Sequence, residues 1–170
     1  LNITIPHKEK VFNLCSEISP IASKLKAINT LKLNSEAEWS ATNTDVDGFI
    51  YPLNNLNLTN KKAIVLGSGG AARSVIQGLI NLKFSTISVV SRNKSSLDEL
   101  IKNFENQITI KGFINDDCQL QNLLEETDLI VNTTPVGMKT AKYQETVPYG
   151  QTFWRSLNSN TIVYDLIYNP

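Results

Sequence analysis

Apolar positions from residue 61 onward alternate between short β-branched runs and stretches with a helical period. Residues 61–66 form one such run, and Val75, Ile76, Leu79, Ile80 and Leu82 then repeat at helical spacing. Residues 86–91 read as a second strand. Residues 95–104 read as a helix, with Leu97, Leu100, Ile101 and Phe104 on one side. Residues 109–113 give a short strand, 120–125 a short helix, and 128–132 and 161–166 two further strands. Alternating strands and helices with short connections predict a parallel, doubly wound sheet.

The first third of the chain follows a less regular pattern. Residues 1–5 alternate apolar and polar side chains, like the end of a strand. Pro6 suits a first helical turn. Val11, Leu14, Cys15 and Ile18 follow at helical spacing, and Pro20 is expected to end that helix. Residues 27–33 read as a second short strand and 36–40 as a polar connection carrying one Trp. The cluster Thr42-Asn43-Thr44-Asp45 is rich in capping residues and precedes Phe49, Ile50, Leu53 and Leu56 at helical spacing. The polar stretch 54–60 marks a connection between two domains. The predicted division is a smaller α/β unit over 1–46 and a larger unit over 47–170.

Between the run at 61–66 and the helix that follows stands Gly67-Ser68-Gly69-Gly70-Ala71-Ala72-Arg73. Strand, glycine turn and helix in this order form the entry to a dinucleotide-binding, Rossmann-like fold. Gly67 takes the backbone angles of the tight turn. Gly69 and Gly70 leave room for a pyrophosphate, Ala72 lets helix pack on strand, and the free N–H groups at the helix start face the phosphates. Ligands on such sheets bind beyond the carboxyl ends of the strands. Three polar clusters fall there: Gly67 to Gly70, Ser91-Arg92-Asn93, and Asn132-Thr133-Thr134.

The chain has 170 residues, with sixteen basic and sixteen acidic side chains and no formal net charge. That balance argues against a broad nucleic-acid or anionic-membrane surface. The sequence contains no apolar run long enough to span a bilayer. Cys15 and Cys118 lack metal-ligand spacing and are expected to be packing residues in a reducing compartment; no metal site is expected. Leu1 at the start and the apolar run before Pro170 at the end give the expectation of a fragment of a longer enzyme.

Arg92 discriminates between cofactors. An acid near the end of the second strand would bond the ribose hydroxyls of NAD. This chain has Ser91-Arg92-Asn93-Lys94 there, and a guanidinium binds a phosphate through two donors and stacks on adenine. The segment favours NADP(H) over NAD, a solvated arginine at a strand end being the alternative. Lys8 is expected in the first turn of a helix, where acids are normally favoured. It is either a surface lysine or a proton donor and acceptor, with Asp45 as a partner that orients it. His7, the single histidine, is expected to pack beside the site. Asn29 and Thr30 either cap a strand end or contact a ligand, and Gly137 and Met138 follow Pro135 in an irregular loop or simple turn.

Together these segments resemble the shikimate dehydrogenase family. Asn2-Ile3-Thr4-Ile5-Pro6-His7-Lys8-Glu9 is similar to its first motif, and Ala27-Ile28-Asn29-Thr30-Leu31 and Asn43-Thr44-Asp45 to the next two. The glycine loop and the Arg92 segment follow in the family's order. Asn132-Thr133-Thr134-Pro135-Val136-Gly137-Met138 and Tyr164 to Pro170 resemble its late motifs. The resemblance implies NADPH-dependent reduction of 3-dehydroshikimate to shikimate, on the route to aromatic amino acids. It implies Lys8 and Asp45 as catalytic residues, with Thr4, Asn29, Asp45 and Tyr168 on the substrate. Gly67, Ser68, Gly69, Gly70, Ala71, Ser91, Arg92, Asn93, Asn132, Thr133, Thr134 and Leu166 would hold the cofactor. Residues 1–46 would then be the C-terminal part of a substrate-binding domain and 47–170 an NADP-binding domain truncated at its C-terminus. The family's early serine pair and late glutamine-bearing segment would lie outside the chain. The expected partner is a small molecule, with no nucleic acid or membrane, in a monomer or homodimer. The expected location is cytoplasmic, with a plastid as the alternative. Two other readings stand beside this one: a quinate/shikimate dehydrogenase using NAD, against which Arg92 counts, and a non-catalytic module that senses a metabolite.

Overall fold

In the strand β4 (Lys62–Leu66) four consecutive residues, Ala63 to Leu66, are almost wholly buried. Side chains alternate across a strand, so such a run needs cover on both faces. The computed structural model, which describes residues 1–4, 7–114, 120–138 and 147–167, supplies it. Ala63 and Val65 face one core with α2 (Asp45–Ile50), α3 (Gly70–Asn81) and α4 (Lys94–Phe104). Ile64 and Leu66 face a second core with α5 (Leu120–Glu125) and α6 (Gly150–Arg155). The sheet joins β4 to β5 (Thr86–Ser91), β6 (Ile110–Ile114), β7 (Leu129–Asn132) and β8 (Ile162–Asp165) in the order β6-β5-β4-β7-β8, every pair parallel. The strand order reverses direction at β4, so the mouth between the loops after β4, β5 and β7 is the switch point where ligands bind. This is the expected α/β, doubly wound sheet.

A second sheet joins β1 (Glu17–Ile18), β2 (Thr30–Leu33) and β3 (Trp39–Thr42) in the order β1-β3-β2. It packs its own small core of Ala22, Ile28, Leu31 and Ala41. The helix α1 (Pro20–Leu25) covers it. Pro20 therefore starts a helix rather than ending one. The Ser19 hydroxyl accepts the Ala22 N–H at 3.3 Å, and proline at the first helical position loses no hydrogen bond. Upstream, only Lys10–Leu14 winds, as a 3₁₀ turn, before Cys15 extends into β1. Leu14, expected on a buried face, is exposed because no long helix forms there. Trp39 and Ser40, expected in a polar connection, belong to β3, whose pairing with β2 the sequence pattern does not signal. The strand expected over 1–5 contributes one bridge, Asn2 to Thr30, among the described residues.

α2 stops at Ile50 and passes into a 3₁₀ turn, Tyr51–Leu53, because Pro52 has no N–H to continue the ladder. Leu56 consequently lies outside the helical face and is exposed. α2 crosses α3 at close range: a Cβ on Gly78 would stand 2.5 Å from Phe49 Cδ1. Phe49 also meets Tyr164 of β8, edge to face, with ring centroids 5.3 Å apart. This contact fixes the residues around Asp45 against the helix that follows the glycine turn. No described helix is long and apolar enough to cross a membrane.

Candidate active site

The glycine turn is built as its residues dictate. Gly67 has φ +107°, a region open to glycine and costly for other residues. A Cβ there would also lie 2.6 Å from Thr133 Oγ1, whose hydroxyl donates to the Leu66 carbonyl at 2.6 Å. The missing side chain at Gly67 thus lets the loop after β7 close on the loop after β4. Gly69 has nothing within 4 Å of where a Cβ would stand, and Gly70 leaves room for Lys8 and Ala27, whose Cβ atoms lie 3.4 and 3.7 Å away from that point. α3 carries no acid in its first turn and no side-chain cap. The N–H groups of Gly70, Ala71 and Ala72 therefore have no intrahelical acceptor and point toward the mouth.

A cavity of about 400 Å³ opens over this turn. Gly67, Ser68, Gly69, Gly70 and Ala71 line one part of it, Ser91, Arg92 and Asn93 another, and Thr133 and Thr134 a third. The structure thus gathers ten of the twelve candidate cofactor residues around one space. Arg92 is exposed and forms no ion pair among the described residues. Ser68 Oγ lies 2.8 Å from Ser91 Oγ and 2.6 Å from Ser96 Oγ, so hydroxyls tie the glycine turn to the start of α4. The helix itself is capped by Asn93, whose side chain accepts the Ser96 N–H at 3.0 Å.

The remaining two candidates act from behind the wall. Asn132 is 1% exposed; its side-chain carbonyl accepts both the Thr134 N–H and hydroxyl, and its amide donates to Asp165 at 3.1 Å. Leu166 donates its N–H to the Asn132 carbonyl and packs against the larger core rather than lining the cavity.

At the front of the same cavity stands Lys8. Its ammonium donates to Asp45 Oδ2 at 2.5 Å, and the other carboxylate oxygen accepts from Asn29 Nδ2 at 2.6 Å. The sequence separation is 37 residues, and the fold closes it by pairing β2 with β3 and starting α2 at Asp45. Asn43 underlies the group. Its side chain is 3% exposed, accepts the Asp45 N–H at 3.0 Å, donates to the Ala27 carbonyl at 2.9 Å, and bonds Ser74 of α3. Lys8 occupies a turn ahead of the 3₁₀ segment, not the first turn of an α-helix as expected; its partner is a carboxylate rather than a helix end. Thr4 is exposed and accepts the His7 N–H through its carbonyl at 2.9 Å. His7 is exposed too, which corrects the expected packing role: it sits on the outside of this turn. Cys15 is half-buried against the small core, and burial pushes its thiol up. Tyr168, Cys118, Ile5 and Pro6 lie outside the described residues. Among the described residues, no group of three or more His, Cys, Asp or Glu is placed to hold a metal ion.

Three residues in and beside the site have no signal in the sequence pattern. Tyr149 and Ser96 line the cavity, one from the start of a six-residue helix and one from inside α4. Arg73, in α3, is 2% exposed and pairs with Glu99 at 2.9 Å and more loosely with Glu9 at 3.9 Å. The Arg73 guanidinium holds the Glu99 carboxyl below its ordinary range by a hydrogen bond and by its charge. An arginine inside a helix reads as solvated until its neighbours are known.

Comparison with known proteins agrees with this geometry. A family model described as shikimate dehydrogenase substrate binding domain matches residues 1–31, and one described as shikimate / quinate 5-dehydrogenase matches residues 52–144. The chain is 82% identical over 171 residues to a shikimate dehydrogenase (NADP(+)) of Prochlorococcus marinus (strain MIT 9312), all of this chain covering 60% of that protein. The chain thus spans less than two thirds of that relative's length. The crystal structure of shikimate dehydrogenase from Aquifex aeolicus superposes with a TM-score of 0.79 at 26% identity, over 98% of this chain and 57% of the other. Quinate dehydrogenase from Corynebacterium glutamicum, in complex with NAD, gives a TM-score of 0.82 at 25% identity, over 99% and 58%. With the second family model alone matching more than half of its residues, the chain belongs to the shikimate / quinate dehydrogenase family.

Proposed function

We propose that the protein acts as an NADPH-dependent shikimate dehydrogenase, reducing the ring ketone of 3-dehydroshikimate to the alcohol. One observation carries this reading. Lys8, held by Asp45, and the glycine turn from Gly67 to Gly70 line the same cavity, so a proton donor and a dinucleotide site face one substrate. The site fits the cofactor. An open cradle at Gly69, N–H groups without intrahelical acceptors at the start of a twelve-residue helix, and a guanidinium at the end of β5 that forms no ion pair among the described residues suit two phosphate groups. The segment Ser91-Arg92-Asn93-Lys94 at the end of β5 carries no carboxylate, which supports NADP(H).

NADPH, when bound, supplies the hydride. As the carbonyl carbon is reduced, its oxygen gains negative charge, and Lys8 donates a proton to that oxygen. A positioned acid of this kind contributes about 10²–10⁴ in rate. Asp45, held by Asn29 and by the Asn43 side chain under its N–H, keeps the ammonium in place and accepts a substrate hydroxyl. Asn29, Thr4 and Tyr168 complete the contacts to hydroxyls and carboxylate in this reading. Gly67, Ser68, Gly69, Gly70 and Ala71 cradle the pyrophosphate, while Ser91, Arg92 and Asn93 take the 2′-phosphate. Thr133, held by the Leu66 carbonyl, and Thr134, held by the Asn132 side chain, border the nicotinamide side, with Leu166 behind them on the Asn132 carbonyl. The substrate unit ends at residue 46 and the cofactor unit begins at 47.

Oxidation of NADPH by 3-dehydroshikimate, followed at 340 nm, tests this, with NADH and quinate as controls. Turnover with NADPH exceeding that with NADH supports the assignment. Preference for NADH with quinate as the better reverse substrate replaces it with the NAD-linked reading. Binding of shikimate without NADPH oxidation replaces it with a sensor.

A further inference from the structure

The cavity over the glycine turn presents more apolar than polar surface, and among the described residues Tyr149 is the one aromatic side chain that lines it. This residue comes from a stretch with no part in the motifs above. Its hydroxyl donates to the Val90 carbonyl at 3.1 Å. The same carbonyl accepts the Gly67 N–H at 2.8 Å. A single oxygen near the end of β5 therefore fixes both the tight turn and the phenol, two residues before Arg92.

The ring is backed from behind. Phe153 leans on it with centroids 5.1 Å apart and a 33° tilt, Trp154 meets Phe153 edge to face at 5.4 Å, and the Trp154 indole N–H donates to the Pro148 carbonyl at 2.8 Å. With the hydroxyl occupied and the Phe153 side packed, the surface left free is aromatic carbon facing the cavity. The backbone makes a sacrifice for this placement. Tyr149 has φ +65° and ψ +8°, a left-handed conformation unfavourable for a residue with a Cβ. Such a conformation persists at a non-glycine position only where the surroundings hold it. Burial pushes the phenol up to about 12, against the opposing pull of the Arg92 charge, so it remains a donor at every working pH.

We propose that Tyr149 is a cofactor-positioning residue whose ring forms the flat wall against which the purine of the dinucleotide rests. The inference depends on the reading of this cavity as the NADP(H) site and adds to it the surface that orients the adenosine half. The chemistry points there because the pyrophosphate belongs over Gly67 to Gly70 and the 2′-phosphate belongs with Arg92. The base attached to that same ribose needs an apolar, planar surface close to both. A tyrosine anchored on the carbonyl that fixes the glycine turn provides one at low entropic cost, because its hydroxyl is already tied down.

The test is calorimetric titration of the protein with three probes: NADP⁺, adenosine 2′,5′-bisphosphate, and reduced nicotinamide mononucleotide, which lacks the adenosine. Base–aromatic stacking is worth about 1–3 kcal/mol by alanine substitution, so Tyr149→Ala should weaken the bisphosphate and NADP⁺ about tenfold or more. It should leave the mononucleotide unchanged. Tyr149→Phe and Tyr149→Trp keep a ring and should restore most of the affinity, whereas Tyr149→Leu, which keeps bulk without a ring, should not. Equal binding of the bisphosphate by wild type, Tyr149→Leu and Tyr149→Ala would overturn the inference. So would a parallel loss of the mononucleotide, which would mark Tyr149 as a purely structural support. A wild-type protein that binds neither NADP⁺ nor the bisphosphate would overturn the cofactor reading itself, an outcome separable from the other two.

Discussion

Gly78 sits in the middle of α3, where a glycine normally weakens a helix, and replacing it with alanine gives a result whose sign is informative. Helix propensity alone would stabilise Gly78→Ala by about 0.8–1.0 kcal/mol. The contact with α2 opposes this. The new Cβ would stand 2.5 Å from Phe49 Cδ1, 3.0 Å from Cε1 and 3.3 Å from Ile50 Cγ1. Carbon atoms pack at about 3.5–4.0 Å, so the ring must retreat by about 1 Å. Phe49 is 3% exposed and already packs edge to face with Tyr164, so its ring is confined. Overpacking of this kind costs about 1–3 kcal/mol, so the net expectation is a loss of up to about 2 kcal/mol. For a chain of this size that corresponds to a fall in Tm of up to about 8 °C. Urea and thermal unfolding followed by circular dichroism read it out. Pairing the change with Phe49→Leu should make the double variant more stable than the sum of the single effects predicts. A Gly78→Ala protein stabilised by about 1 kcal/mol would refute the reasoning, since it would show that α2 does not press on α3 at this point.

Other expectations follow from the same contacts. Arg92→Asp should weaken NADPH by about 10–100-fold, the worth of a charge-assisted pair, and leave NADH within a few-fold; equal effects on both cofactors would remove the phosphate assignment. Asn43→Ala should destabilise by about 1–3 kcal/mol in urea unfolding, because the Ala27 carbonyl and Asp45 N–H lose their buried partner. Burial pushes the Asp128 carboxyl up, but the Lys62 N–H and the Lys61 and Lys62 ammonium groups outweigh it and hold it below its ordinary range. A carboxylate depressed on folding stabilises above its ordinary pKa, and the benefit fades as pH falls through the lowered value. Asp128→Asn should therefore lower Tm at pH 7, with the difference from wild type closing below about pH 4.

Different parts of the molecule were legible in the sequence for physical reasons. The central strands β4, β5 and β7 are buried on both faces, so they appear as near-continuous apolar runs; the stretches 86–91 and 120–125 coincide with β5 and α5. The glycine turn was readable because only glycine suits Gly67, and the flanking strand and helix supply its context. The front third was less legible because its elements are two to six residues long and take their stability from pairing across the sequence. Pro20 favours neither reading of its neighbourhood until Ser19 is seen capping α1. The exposure of His7 was hidden likewise, since a turn decides it rather than a periodicity. Tyr149, Ser96 and Arg73 escaped notice because their roles depend on what faces them, and a chain read in one dimension does not show this.

Lys8 carries the heaviest claim, and one comparison tests it most directly. Turnover of NADPH with 3-dehydroshikimate is measured for wild type and Lys8→Ala alongside the NADPH dissociation constant of each. The account predicts a loss of about 10²–10⁴ in kcat with cofactor affinity unchanged within a few-fold. Near-normal turnover in the variant would contradict it, because the ammonium paired with Asp45 would then not be the source of the proton.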